Sequence, residues 1–326
     1  MNGTIIKTRV VGVDVSLEQT TCAIVDIRGN IIARDAFCTT DYPNISEYVT
    51  TLCNHIITLV DDNGGYESIR SVGIGVPSSN NTTGCIMNSP NMPWKGVIPL
   101  AAMLRDQLGL AVALANNTHI IALGEHAFGA AHGMKNFVIV SLGNGMGSCF
   151  FSNGSVYLGN GGYAGEIGHT CIRPGGRRCG CGQQGCLETY TTAKGILLTA
   201  HEVMAESDEP SLMRSAENLT TKMITAFCEQ GDKLAIETYR RTGRLLGIGL
   251  ANYASVIDPE AFIFTGGVAK SDRWLLEPTQ EAFDEHVFPN IKGKVKFLNS
   301  VLDDRERDVL GASVLAWSVK EYSLFK

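Results

Sequence analysis

The sequence predicts an α/β protein built as two lobes, on three observations. Strands and helices alternate along it, the pattern restarts near residue 137, and 44% of its 326 residues are hydrophobic. That content is enough to bury a core in each half. Residues 9–15 and 21–26 read as consecutive strands, and Arg28-Gly29-Asn30 turns the chain into a third, 31–37. A helix follows over 46–61, where Val49, Leu52, Ile56, Ile57 and Val60 recur at helical spacing and Asp62-Asn63-Gly64-Gly65 ends the run. Residues 72–76 and 110–114 lack polar side chains, as strands covered on both faces do, and 99–108 between them reads as a helix. The second half begins with strand 137–142, turns at Gly143, continues through 148–152 and closes a hairpin at Asn153-Gly154. An apolar strand, 261–264, and a final apolar helix, 309–317, complete the pattern. The repetition indicates duplicated halves.

Charge and composition exclude several classes. A net charge of −6, from 33 acidic and 27 basic residues, argues against a nucleic-acid surface. No apolar run reaches membrane-spanning length, and the first fifteen residues read as a strand rather than a cationic leader. The expected location is the cytoplasm, where N-x-[ST] triplets such as Asn81-Thr82-Thr83 carry no meaning. Ten cysteines fall short of a disulfide scaffold, and Cys22 and Cys149, in apolar strands, are expected in the core.

The densest chemistry lies in 165–188, GEIGHTCIRPGGRRCGCGQQGCLE. His169, Cys179, Cys181 and Cys186 form H-x9-C-x-C-x4-C. One imidazole and three thiolates make a closed tetrahedral shell, which suits structural Zn²⁺. Gly180, Gly182 and Gly185 supply the tight turns between ligands. Cys171, outside the pattern, is expected to be a small buried residue.

This segment resembles the zinc and sugar-binding signature of the ROK family, whose members are sugar kinases and sugar-responsive repressors, and the likeness runs along nearly the whole chain. The resemblance implies a two-lobed actin-like ATPase (ribonuclease H-like) fold carrying a structural zinc loop, with ligands meeting in a cleft. It divides the chain into a small lobe, 1–115 with the returning helix in 305–326, and a large lobe, 116–304. It also implies a homodimer. Repressor members carry a helix-turn-helix domain ahead of the first strand, and no such module is expected before residue 9. The resemblance assigns sugar hydroxyls to Asn91, in Asn88-Ser89-Pro90-Asn91-Met92-Pro93-Trp94, and to Asn116, Glu166, His169 and Glu188. Gly75-Val76-Pro77-Ser78 matches the turn backing the sugar, with Ser78 where glycine is usual.

On the nucleotide side, Gly143-Asn144-Gly145-Met146-Gly147 resembles the second phosphate loop of the fold, where backbone N–H groups approach phosphate oxygens. Gly266 and Gly267, after strand 261–264, resemble the adenosine loop, and Asp14 matches the residue that helps position Mg²⁺ for ATP. Two departures stand out. Ser16-Leu17-Glu18 replaces the usual glycines and threonine of the first phosphate loop, and Glu18 either repels phosphate or faces solvent. Asn117 stands where family kinases place the catalytic Asp; an amide holds a hydroxyl in place but cannot take its proton. His119 replaces a residue that is usually Asn and is a weaker candidate for the missing base. The expected function is a glucokinase-like phosphorylation of a hexose or N-acetylhexosamine, weakened by Asn117. The alternative is a silent sugar-binding sensor or regulator derived from such a kinase.

Overall fold

A computed structural model describes residues 7–89 and 92–319. Its first strands are β1 (Arg9–Val15), β2 (Gln19–Asp26) and β3 (Ile31–Cys38), followed by helix α1 (Ile45–Asp61). Asn44 starts α1 by accepting from the Ser46 backbone N–H at 2.8 Å. Then come β4 (Ile69–Gly75), a small sheet of β5 (Ser79–Asn80), β6 (Cys85–Met87) and β7 (Val97–Ile98), and α2 (Leu100–Leu108), β8 (Ala111–Ala115) and α3 (Asn117–Phe128). The second set opens with β9 (Phe137–Leu142), β10 (Met146–Ser152) and β11 (Ser155–Val156). Four helices follow: α4 (Glu188–Thr191), α5 (Ala193–Ala205), α6 (Thr221–Glu229) and α7 (Lys233–Ile257). Strand β12 (Ala261–Thr265), α8 (Arg273–His286), β13 (Lys296–Asn299) and α9 (Arg307–Ser318) end the described chain.

Two compact units result, Met1–His132 with Val301–Lys326, and Gly133–Ser300. The first holds a sheet ordered β3-β2-β1-β4-β8, the second a sheet ordered β11-β10-β9-β12-β13. In both, three strands meander antiparallel and two more join in parallel. The duplication read from the sequence is therefore a duplication of topology.

In the first unit, Tyr48, Val49, Leu52 and Ile56 of α1 pack on Val11, Val13, Ile24 and Ile74 of the sheet. The opposite face is covered by α9, whose Val309, Leu310 and Ala316 meet Val10, Ala23 and Val25. Close approach there depends on missing side chains, since a Cβ on Gly12 would lie 2.2 Å from the Val309 carbonyl oxygen. Helix α3 crosses α9 in the same way: a Cβ on Gly311 would lie 1.9 Å from the Ile120 oxygen. This crossing moves the division expected at 115/116 and 304/305 to 132/133 and 300/301, because α3 is locked onto α9 within the first unit.

Ser78 has φ 56°, the left-handed region where side chains cost about 1–2 kcal/mol. Ser78→Gly is expected to raise stability by about 0.5–1 kcal/mol, measured as a shift in denaturation midpoint at constant slope. An unchanged midpoint would remove strain from this turn.

In the second unit, Val138, Val140, Phe262 and Phe264 of the sheet pack with Leu246, Leu250 and Phe283 of α7 and α8. Helix α8 lies close along α7 at Gly243 and Gly247, where a Cβ on Gly247 would come within 2.2 Å of the Thr279 oxygen. Among the described residues no helix is long and apolar enough to cross a membrane. Cys22 and Cys149 are buried as expected.

Candidate functional site

In the first unit, the carboxyl ends of three adjacent strands are level: Asp14 pairs with Gly75, and Gly75 with Ala115. Ligands of open α/β sheets bind outside such ends. Asp14 is surrounded by protein, and burial pushes its carboxyl up to about 8, reinforced by Asp308 and opposed by Arg307. Arg307 is itself held by Asp304 at 2.7 Å and Asp308 at 3.0 Å. Asn116 caps α3, its Oδ1 accepting from the Thr118 N–H at 3.0 Å and from the Thr118 hydroxyl at 2.9 Å. Asn117 donates from Nδ2 to Asp14 Oδ1 at 3.3 Å and to the Val15 carbonyl at 3.5 Å.

The other side of the Asn117 amide is different. Its Oδ1 is buried and has no hydrogen-bond partner among the described residues; the same holds for His119 Nδ1, Ser79 Oγ and Ser89 Oγ. Buried polar atoms rarely go unpaired, and Arg70 Nε, Asn81 Oδ1 and Trp317 Nε1 of the same unit share this condition among the described residues. The His119 ring is 5% exposed, and burial depresses its pKa to about 4, so it is neutral. In the departing loop, Leu17 and Glu18 are exposed, and the turn is closed by Ser16 and Gln19. Asn91 lies outside the described residues.

In the second unit, one nitrogen of His169 and the sulfurs of Cys179, Cys181 and Cys186 all lie within 4.8 Å of one another. Cys179 Sγ is 3.6 Å from His169 Nδ1, and Cys181 Sγ is 3.7 Å from Cys186 Sγ. Gly182 and Gly185, at φ 94° and 79°, make the turns that bring the sulfurs inward. The donor set fits zinc. Burial raises the Cys179 thiol and pushes that of Cys186 up to about 12, while the Gln183 backbone N–H lowers that of Cys181. Buried thiols of this kind ionise against a cation.

Glu188, at the start of α4, accepts from the Met146 N–H at 3.1 Å through Oε2, and its Oε1 lies 3.6 Å from Cys179 Sγ. Burial raises the pKa of Glu166, opposed by His169 and reinforced by Glu188. Glu188 thus touches the quartet, and Glu166 lies near enough for His169 to influence it. Two residues absent from the sequence reading support this segment. Arg177 donates to Glu202, Thr199 and the carbonyls of Thr189 and Gly195, and its guanidinium stacks on Tyr190. Tyr253 of α7 donates to Thr170 and to the Ile167 carbonyl. Neither carries a local signal, because each acts through partners distant in sequence. Cys171 corrects its expectation: it is exposed, while Cys186, opposite it in a strand-like bridge, is buried.

The glycine turns also come together here. Gly143, Asn144 and Gly267, with Lys222, Thr225 and Ser271, line a cavity of about 830 Å³. The Gly143 N–H donates to the Gly145 carbonyl at 3.0 Å, closing the turn. A Cβ on Gly145 would lie 3.5 Å from Glu188 Oε2. Gly147 stands in β10 opposite Ser141, and Gly266, at φ 89°, packs against the Leu142 carbonyl. Of these glycines, Gly143 and Gly267 line the cavity. Hydroxyls of Thr225, Tyr239 and Ser271 interlock beside it at 2.6–3.0 Å, a cluster that sequence spacing does not reveal.

Comparison with known proteins agrees with this arrangement. Residues 10–319 match the family model for the ROK family. A glucokinase of Halalkalibacterium halodurans is 33% identical over 255 residues, 77% of this chain and 76% of that protein. A xylose repressor of Bacillus subtilis is 26% identical over 90% of this chain and 73% of its own length. A crystal structure of a ROK family glucokinase from Streptomyces griseus, in complex with glucose and AMPPNP, superposes with a TM-score of 0.76. It is 27% identical and covers 95% of this chain and 100% of that one.

Proposed function

Because this chain belongs to the ROK family and has its actin-like ATPase fold, we propose that it phosphorylates a hydroxyl of a hexose or N-acetylhexosamine with Mg²⁺-ATP. The observation that carries the reading is the cavity at the glycine turns, joined through Glu188 to a metal-ready quartet flanked by Glu166. In this reading His169, Cys179, Cys181 and Cys186 hold zinc, which stiffens the segment. With Cys179 ionised, Glu188 Oε1 is left to accept from a sugar hydroxyl, beside Glu166 and His169. Asn116 spends its Oδ1 on the helix cap, so its Nδ2 is the atom for the sugar, with Asn91 as a further contact. Gly143, Asn144, Gly145 and Gly147 form and support the phosphate turn, Gly266 and Gly267 the adenosine side, and Asp14 positions Mg²⁺. Asn117 Oδ1 accepts from the attacking hydroxyl and orients it. A homodimer and a cytoplasmic location rest on the same family likeness.

A second reading, a sugar-binding regulator without turnover, is favoured by the amide of Asn117 at the position to which the family resemblance assigns the base. Sugar-dependent ADP release over a panel of hexoses and N-acetylhexosamines, beside calorimetric sugar binding, separates the two. At least one sugar is expected to stimulate release. Sugar binding with no turnover by either the natural chain or Asn117→Asp would favour the regulator.

A further inference from the structure

We propose that Cys171 is an oxidation site whose disulfide with Cys186 withdraws a ligand from the metal quartet. The inference rests on the zinc reading above for its consequence, and on backbone geometry for its chemistry. The Ile172 N–H donates to the Gly185 carbonyl at 2.8 Å, and the Leu187 N–H to the Thr170 carbonyl at 3.0 Å. These two bonds bracket Cys171 and Cys186 as directly opposed residues of an antiparallel bridge, in its non-hydrogen-bonded register. Residues so placed have Cα atoms about 4.5 Å apart and side chains on one face. Disulfides span Cα separations of about 4.4–6.8 Å, a range that this register meets. Cys171 is exposed and Cys186 is buried, which puts the accessible sulfur outside the quartet and its partner within it.

The oxidant is hydrogen peroxide. The Cys171 sulfur attacks one peroxide oxygen; the O–O bond breaks, water leaves and a sulfenic acid forms. The Cys186 sulfur, as thiolate, then attacks the Cys171 sulfur: the S–S bond forms, the S–O bond breaks and hydroxide leaves. Two electrons pass from the sulfur pair to the peroxide, and the Cys186–metal bond is lost. His169, Cys179 and Cys181 remain, an incomplete shell that holds the ion less tightly. A thiol reductant reverses the step by disulfide exchange.

The test treats the full zinc-loaded chain with hydrogen peroxide, follows zinc release with a chromogenic chelator and maps disulfides by mass spectrometry without reduction. A Cys171–Cys186 linkage is expected to appear in step with zinc release and to be reversed by dithiothreitol. Cys171→Ser keeps all four ligands and is expected to slow release by about tenfold or more. Release at an unchanged rate from Cys171→Ser, or a disulfide joining two of Cys179, Cys181 and Cys186, would overturn the proposal. Protein that binds no zinc would overturn the metal reading, while the disulfide map would still decide whether Cys171 and Cys186 pair.

Discussion

Asn117→Asp is expected to raise kcat for the preferred sugar by ~10²–10⁴-fold, the usual worth of a positioned general base. The substitution is nearly isosteric and exchanges an amide for a proton acceptor at the end of β8, beside the other strand ends. Because phosphoryl transfer depends heavily on positioning and charge neutralisation, the natural chain is expected to be slow rather than inert. A cost accompanies the gain. The Asn117 amide now donates to Asp14 Oδ1 at 3.3 Å, and a carboxylate in its place meets an acid already pushed up to about 8. Two neighbouring carboxyls resist joint ionisation, so the variant without ligands should unfold at a lower temperature, with part of the loss recovered on adding Mg²⁺ and nucleotide. Steady-state ADP release and a thermal scan measure both effects. An unchanged kcat would mean that proton removal does not limit the reaction.

Removing zinc is expected to have the second large effect. A ligand present at a hundred to a thousand times its Kd stabilises by about 3–4 kcal/mol, which for a unit of this size is about 6–16 °C in Tm. Chelation or Cys181→Ser should therefore lower Tm by that amount, with metal analysis falling from about one zinc per chain towards none. Cys149→Ser provides the contrast, because Cys149 is buried in β10 away from the quartet: it should cost stability and leave zinc content unchanged. Absence of zinc from protein purified without chelator, or indifference of Tm to its removal, would dismiss a structural metal.

Legibility in the sequence followed the range of the forces involved. Strands β1 to β4 and helix α1 are readable because burial imposes periods of two and 3.6 on neighbouring residues. The quartet of His169, Cys179, Cys181 and Cys186 is readable because donors that converge on one point constrain their spacing. Strands β5 to β7 have two or three residues each, too few for any period to show. In α7, Gly243, Gly247 and Gly249 are notches, two against α8 and one against Leu187, contacts with partners distant in sequence that no local pattern shows. The division of the described chain into units was not readable locally, because the contact of Gly124 and Ile120 with Gly311 joins distant parts of the chain. Asn116 shows the limit of reading roles from residue type: the same side chain serves a helix cap and stands at a strand end.

The covering of the first sheet by α9 sets an order of events during synthesis. Gly12 meets Val309, and the Ser71 hydroxyl donates to the Ala316 carbonyl at 2.7 Å, contacts that span nearly the whole chain. The ribosome emits β1 long before α9. Until then Val10, Ala23 and Val25 have no helix to cover them, whereas residues 133–300 are contiguous and complete beforehand. The domain begun second is thus the first able to finish. The domain begun first stays open, with an apolar face uncovered, until α9 leaves the exit tunnel.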